Sequence, residues 1–195
     1  CRLPVQYVIR PQDDAYHDYR AYAGRIAGGV FRKGDKVMVL PSGFTSTIKT
    51  INAPEGEIKE AFAPMSISLL LDDEIDISRG DMIVRENNSP QNSQDIDIML
   101  CWLNEKKLQE GGRYIVKHTS REVRCIVKEI LYKIDISHLR RIENETSFGV
   151  NDIGRVVLRT TQPLFFDSYR RNRNTGSLIL IDEGTNETVG AGMIV

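Results

Sequence analysis

The sequence is poor in most features that make a function easy to read. Its 195 residues hold three cysteines, Cys1, Cys101 and Cys125, an odd number with no CxxC pair. That count and spacing speak against a disulfide framework and against a thiolate zinc site. Cys101 and Cys125 sit among apolar neighbours, so buried free thiols in a reducing cytosol are expected. Net charge is missing too: Lys+Arg 26 against Asp+Glu 27 leaves -1. No global field therefore draws the chain to nucleic acid or to an anionic membrane. No apolar run nears the ~18 residues that a membrane-spanning helix needs. There is neither an initiator Met nor a secretory leader, and Cys1 leads almost directly into the apolar Val5-Gln6-Tyr7-Val8-Ile9. Such a start is expected of a piece of a longer, cytoplasmic protein.

A sustained helical period is also absent. Ile58 to Phe62 and Leu100 to Leu108 have some helical spacing, but no helix beyond one or two turns is expected. Short apolar runs bounded by turn residues take its place: Val37 to Leu40, Ile67 to Leu71, Met82 to Val84, Tyr114 to His118, Arg155 to Thr161 and Leu178 to Ile181. Val123, Cys125 and Val127 alternate with polar residues, Ile126 excepted, and Ile130, Tyr132, Ile134 and Ile136 continue at period two. Asp182 to Asn186 reads as a hairpin loop into Thr188-Val189. Two turns share one chemistry, Lys33-Gly34-Asp35 and Arg79-Gly80-Asp81, each followed by aliphatics. Glycine supplies the positive φ, and aspartate bonds nearby N–H groups. The tripeptide Arg79-Gly80-Asp81 is thus a turn, not an adhesion signal. Regular turns without a helical period imply an all-β chain. The longest stretch without an apolar residue, Arg85 to Gln94, reads as a linker. It places one β-barrel over 1–88, a linker over 89–95 and a second barrel over 96–195.

The same residues offer few groups for chemistry. Gly29-Val-Phe-Arg-Lys-Gly34 has the glycine spacing of a phosphate loop, yet Asp35 and Lys36 stand where Lys and Ser/Thr are needed. No NKxD or DxxG segment follows, so nucleotide binding by that mechanism is excluded. His17, His118 and His138 are far apart and lack ligand spacing. Asp72, Asp73, Glu74 and Asp76 read as a solvated rim. No catalytic, cofactor-binding or metal-ligating residue is therefore assigned. Two features point to partner contact instead. His118 and Arg121 flank a polar hairpin tip at Thr119-Ser120. Arg170, Arg171 and Arg173 follow the aromatic Phe165-Phe166-Asp167-Ser168-Tyr169, which sets cations beside rings.

Several segments then carry a likeness to one family: LPVQYVIRP from Leu3, the tract Tyr19 to Gly43, YIVKHTSREVRCIVKEILYKID from Tyr114, NDIGRVVLRTTQPLFFDSY from Asn151, and the closing TGSLILID and GAGMI. The turns are general to translation-type GTPases, whereas NDIGRV, the FDxYxxNRxTG pattern and GAGMI are more specific. Together they resemble the two barrels after the GTPase domain in the large, regulatory subunit of bacterial sulfate adenylyltransferase. The resemblance implies two consecutive antiparallel β-barrels like domains 2 and 3 of elongation factor Tu. It also implies a parent that binds GTP and Mg in a separate GTPase domain. The partners it implies are that domain and a smaller catalytic subunit that makes adenosine 5′-phosphosulfate and pyrophosphate from ATP and sulfate. Barrels of the translation-factor type that bind tRNA or the ribosome are the alternative.

Overall fold

Aliphatic runs become strands wherever a turn bounds them, because alternate side chains then share one buried face. A computed structural model of the chain describes residues 1–10 and 19–195; His17 lies outside the described residues. The described residues divide into two units, Cys1–Ser89 and Pro90–Val195.

In the first unit the strands are β1 (Arg2–Pro4), β2 (Tyr7–Ile9), β3 (Ala21–Arg25), β4 (Val30–Arg32), β5 (Lys36–Leu40), β6 (Thr45–Ala53), β7 (Gly56–Ile58), β8 (Glu60–Phe62), β9 (Ser66–Leu71) and β10 (Met82–Arg85). The sheet runs β1-β10-β5-β6-β9-β3-β2, with β7 on β6 and a separate β4–β8 ribbon. Its two ends, β1 and β2, are successive halves of one segment. At Val5-Gln6 that segment changes partner: Val5 N–H donates to Asp81 O at 2.8 Å, and Gln6 N–H to Ala23 O at 2.9 Å. The ring is thus completed by the chain itself, and among the described residues no strand of that ring is left as an open edge. Leu3, Phe31, Val37, Val39, Ile51, Leu69 and Ile83 fill the interior with no exposed surface. Each such aliphatic contributes about 1.5–3 kcal/mol by burial. The guanidinium of Arg2 donates to the backbone and side-chain oxygens of Asn88, which pins the first strand to the last residues of the unit.

The second unit holds β11 (Gln91–Trp102), β12 (Leu108–Gln109), β13 (Arg113–His118), β14 (Arg121–Asp135), β15 (Arg140–Ile142), β16 (Ser147–Phe148), β17 (Ile153–Phe166), β18 (Ser177–Ile181) and β19 (Thr188–Ile194). Six of them close as β13-β18-β19-β11-β17-β14 and back to β13, all antiparallel, while β15 extends β14 and β12 pairs β16. The core is Ile96, Ile98, Leu100, Trp102, Val116, Phe148, Val156, Leu158 and Leu180. Trp102 meets the edge of Tyr114 at 5.4 Å and donates its indole N–H to Lys106 O at 2.9 Å.

One corner device recurs four times. Gly34 (φ 88°), Gly80 (φ 95°), Gly111 (φ 79°) and Asn151 (φ 66°) each sit third in a four-residue turn. The fourth residue donates back to the first: Asp35 to Arg32, Asp81 to Ser78, Gly112 to Gln109 and Asp152 to Gly149. The N–H of the positive-φ residue reaches a neighbouring strand, at Ile48, Val5, Val127 and Trp102 respectively, and the same strand residue donates back to the fourth turn residue. In three of the four, an aspartate Oδ2 also accepts the N–H of the first residue, at 2.9, 2.9 and 2.7 Å. Both Gly-Asp turns read from the sequence are of this kind. The Asn151-Asp152 corner, inside NDIGRV, is the version that sequence reasoning passed over, because asparagine tolerates the left-handed region where glycine is usual.

The structure differs from four expectations. The stretch read as linker to residue 95 ends early: Gln91, Asn92 and Ser93 pair with Phe166, Phe165 and Leu164 in β11. Its polar side chains are tolerated because Gln91 and Asn92 are exposed, while Ser93 Oγ donates to Asp95 O and accepts from Asp95 N–H at a bulge. The period-two run from Ile130 to Ile136 breaks at bulges in β14, leaving Ile130 buried and Ile136 exposed beyond the strand. Ile58 to Phe62, with weak helical spacing, spans β7 and β8. Cys125 is buried but Cys101 is half-exposed.

The corner device makes a direct test of backbone strain. Asn151→Val forces a β-branched residue to φ 66° and is expected to cost about 1–2 kcal/mol. Asn151→Gly is expected to stay within about 0.5 kcal/mol of wild type. Urea unfolding of both variants measures the difference.

Candidate functional site

The FDxYxxNRxTG pattern of Phe166 to Gly176 links β17 to β18 over the end of the second barrel. Its polar residues fold the loop onto itself. Arg171 and Asn172 N–H groups donate to Ser168 O at 2.9 and 3.0 Å, and Asn174 and Thr175 N–H groups donate to Asn172 Oδ1 at 2.9 and 3.3 Å. Tyr169 N–H reaches Ile194 O at 2.8 Å, and Ile194 N–H reaches Gly176 O at 2.7 Å, which ties the loop to β19. Gly176 is required by close approach: a Cβ there would lie 2.4 Å from Tyr169 Cα.

Beneath the loop lies a buried polar chain. Thr175 Oγ1 donates to Asp167 Oδ2 at 2.8 Å, and Thr175 O lies 2.8 Å from His118 Nε2. A carbonyl only accepts, so Nε2 carries the hydrogen and the ring is held as the Nε2–H tautomer. His118, Asp167 and Thr175 are all buried. Burial holds the His118 imidazole below its ordinary 6.5, with the Thr175 carbonyl and Asp167 opposing that shift. His118 therefore supports the loop from inside and does not meet a partner at the surface. His118 does flank the Thr119-Ser120 hairpin tip, paired with Arg121, but its ring points under the loop because the β13 alternation that buries Tyr114 and Val116 buries residue 118 as well.

The remaining sequence-singled residues gather around that support. Arg121 is the register partner of His118, and it donates to Gln162 Oε1 at 2.8 Å. Arg170, Arg171 and Arg173 are exposed on the loop, with the Arg173 guanidinium 5.9 Å from the centre of the Tyr169 ring. Beside them an open groove of about 570 Å³ runs over β13, β18 and β19, lined by Tyr169, Asn174, Lys117, Thr119, Ile179 and Met193. Met193 is 43% exposed there. Sequence reasoning missed Asp167 and Thr175 as the loop's internal braces. The signal was available as two polar residues spaced to meet across one loop, but nothing in spacing alone marks them as buried. A rigid, cationic, aromatic-edged platform beside an apolar groove suits protein recognition. The Cys125 thiol, pushed up to about 12 by burial, is an inert core group. Among the described residues no group of three or more His, Cys, Asp or Glu side chains gathers as a metal set.

The buried chain makes stability pH-dependent in a stated direction. The folded state binds the His118 proton only below the value of the unfolded chain. Its contribution is present above pH 6.5 and is lost as pH falls through the lowered folded value. Chemical denaturation from pH 7 to pH 5 is expected to show stability falling, with a shallower fall in His118→Gln. Thr175→Val keeps the shape but leaves the Asp167 carboxylate without its hydroxyl donor, and is expected to cost about 1–3 kcal/mol. Hydrogen exchange should then accelerate over residues 168–174.

Residues 95–195 match the family described as GTP-eEF1A C-terminal domain-like. Over its whole length the chain is 50% identical to the bifunctional enzyme CysN/CysC of Mycobacterium tuberculosis, of which it spans 32%. It is 42% identical to sulfate adenylyltransferase subunit 1 of Bacteroides fragilis, of which it spans 40%. The chain thus spans about a third to two-fifths of the curated relatives it matches. A solved structure of sup35 complexed with GDP superposes with a TM-score of 0.87 at 17% identity, covering all of this chain and 46% of that one. At that identity the likeness is one of fold: consecutive barrels of the translation-factor type. From the matched second barrel and the full-length likeness to these subunits, the chain belongs to the GTP-eEF1A C-terminal domain-like family of the translation-factor GTPase superfamily.

Proposed function

We propose that the chain is the paired-barrel part of the regulatory, GTP-using subunit of a sulfate adenylyltransferase, without catalysis of its own. The observation that carries this reading is identity of 40 to 50% along the whole chain to proteins named sulfate adenylyltransferase subunit 1 and CysN/CysC. In this reading GTP and Mg bind in a GTPase domain of the parent. The smaller catalytic subunit of a cytoplasmic heteromer joins ATP to sulfate. The barrels then carry the nucleotide state from one to the other. Coupling of that kind is a difference in contacts between two states, and it needs a stiff element between them.

The arginine loop suits the part of contact surface. Its backbone is tied to β19 and braced by His118, so the backbone that carries Arg170, Arg171 and Arg173 has little freedom to lose on binding. Near-neutral net charge weighs against a role in holding tRNA.

The test uses the full-length subunit and its catalytic partner. Replacing Arg170, Arg171 and Arg173 together by Ala is expected to weaken subunit association at least tenfold, about 1.4 kcal/mol, by titration calorimetry. Unchanged affinity would remove the loop from the interface. Tight tRNA retention on filters, falling steeply across a salt series, would instead favour the translation-factor reading.

A further inference from the structure

A second basin lies on the outer wall of the second barrel, away from the arginine loop's groove in its lining residues. It measures about 390 Å³, and its lining includes Arg113, Arg124, Ile126, Arg159, Thr161 and Glu183. Strand register explains why these side chains meet. Arg113 pairs with Ile126, Ile126 with Arg159, and Arg159 with Asp95, so one cross-strand row spans β13, β14, β17 and β11. Directly opposed residues on one face stand about 4.5–5.5 Å apart at Cβ. Ile126, the exception to the alternation of β14, is 41% exposed at the middle of this row.

The charge around Ile126 is unbalanced. Arg124 pairs with Glu183 at 3.0 Å, and Lys128 and Arg159 both pair with Asp95 at 3.0 Å. Among the described residues no carboxylate pairs with Arg113. Four cations therefore face two carboxylates. The Arg124–Glu183 pair is largely exposed, with Arg124 at 77%, so it holds Arg124 only loosely and a competing carboxylate can exchange for Glu183. Guanidinium groups suit this because they take carboxylates in a bidentate fork.

The floor decides between ligand classes. A small inorganic oxyanion would satisfy arginines but leave Ile126 wet and most of the basin unfilled. A nucleic-acid backbone would set phosphates on the arginines but bring no aliphatic group to cover Ile126, which is 41% exposed. A peptide segment with carboxylates on both sides of an apolar side chain meets the arginines and covers Ile126 at once, with Glu183 giving way at Arg124. We propose that this basin is a docking seat for an acidic segment of a protein partner, with an aliphatic or aromatic anchor over Ile126 and carboxylates on Arg113, Arg124 and Arg159. The seat is independent of which protein supplies the segment, and of the role proposed for the arginine loop.

The test is a titration of the ¹⁵N-labelled chain, followed by amide shifts, with a synthetic Glu-Glu-Phe-Glu-Glu peptide. The expected result is saturable shifts at Arg113, Ile126 and Thr161, with affinity weakened at least tenfold in Arg113→Glu and severalfold in Ile126→Ser. Rising salt should weaken binding of the wild type. Arg113 is exposed, so matched melting temperatures check that its variant is folded. Absence of saturable shifts at these amides would overturn the proposal, as would equal affinity in a folded Arg113→Glu chain. Sodium sulfate at the same ionic strength producing the same saturable shifts would overturn it in favour of a small-anion site. A single-stranded oligonucleotide outcompeting the peptide would overturn it in favour of nucleic acid.

Discussion

A closed barrel must turn its chain at each corner without leaving a backbone group unpaired, and in this protein that demand falls on single residues with left-handed backbone. Gly34, Gly80, Gly111 and Asn151 each send their N–H outward from a turn to an adjoining strand, which answers with its own N–H to the following residue. The exchange converts the tightest part of each turn into one more rung of the sheet. Buried polar backbone is thereby satisfied where barrels are most exposed to loss of pairing. The aspartates at three corners accept the remaining turn N–H. Everything else, including the aliphatic interiors and the loops above them, rests on walls held in register by these corners.

The arginine loop shows the same economy of polar groups applied to a surface. Its exterior is cationic, but its stiffness comes from within, where one threonine offers its hydroxyl to Asp167 and its carbonyl to His118. Low local dielectric strengthens such bonds and makes each partner hard to remove. A histidine placed this way has no proton to trade, since its Nε2–H is committed and burial disfavours a second charge. The residue that most invited a chemical role is thus a structural one. The residues that meet solvent are the loop arginines.

Much of the fold was legible because period-two burial and glycine-aspartate turns are local signals. The strands from Val37, Ile67, Met82, Tyr114 and Leu178 all fall where alternation or apolar runs placed them. What failed were features set by pairing across strands. The polar Gln91-Asn92-Ser93 is a strand only because Leu164 to Phe166 lies beside it. The β14 bulges, which move Ile136 out, have no mark in its own sequence. Asn151 hid a corner because asparagine replaced the expected glycine. The site was legible in part: Arg121 and the loop arginines were found by composition, and the register pairing of Arg121 with His118 brings them near one support. The burial of His118 and the brace from Asp167 depend on long-range geometry that no spacing encodes.

The bond between Arg2 and Asn88 has a mechanical meaning. It joins the start of β1 to the residues just after β10, and these two strands are antiparallel, with Arg2 opposite Val84. Chain leading into the first barrel and chain leading out of it are therefore fastened at one corner. Tension applied across that barrel does not shear its wall along the strand axes. It loads the β1–β10 ladder one rung at a time, from Arg2 toward Pro4, and Arg2 resists at that first rung with its guanidinium on Asn88 and its backbone on Ala27 and Gly28.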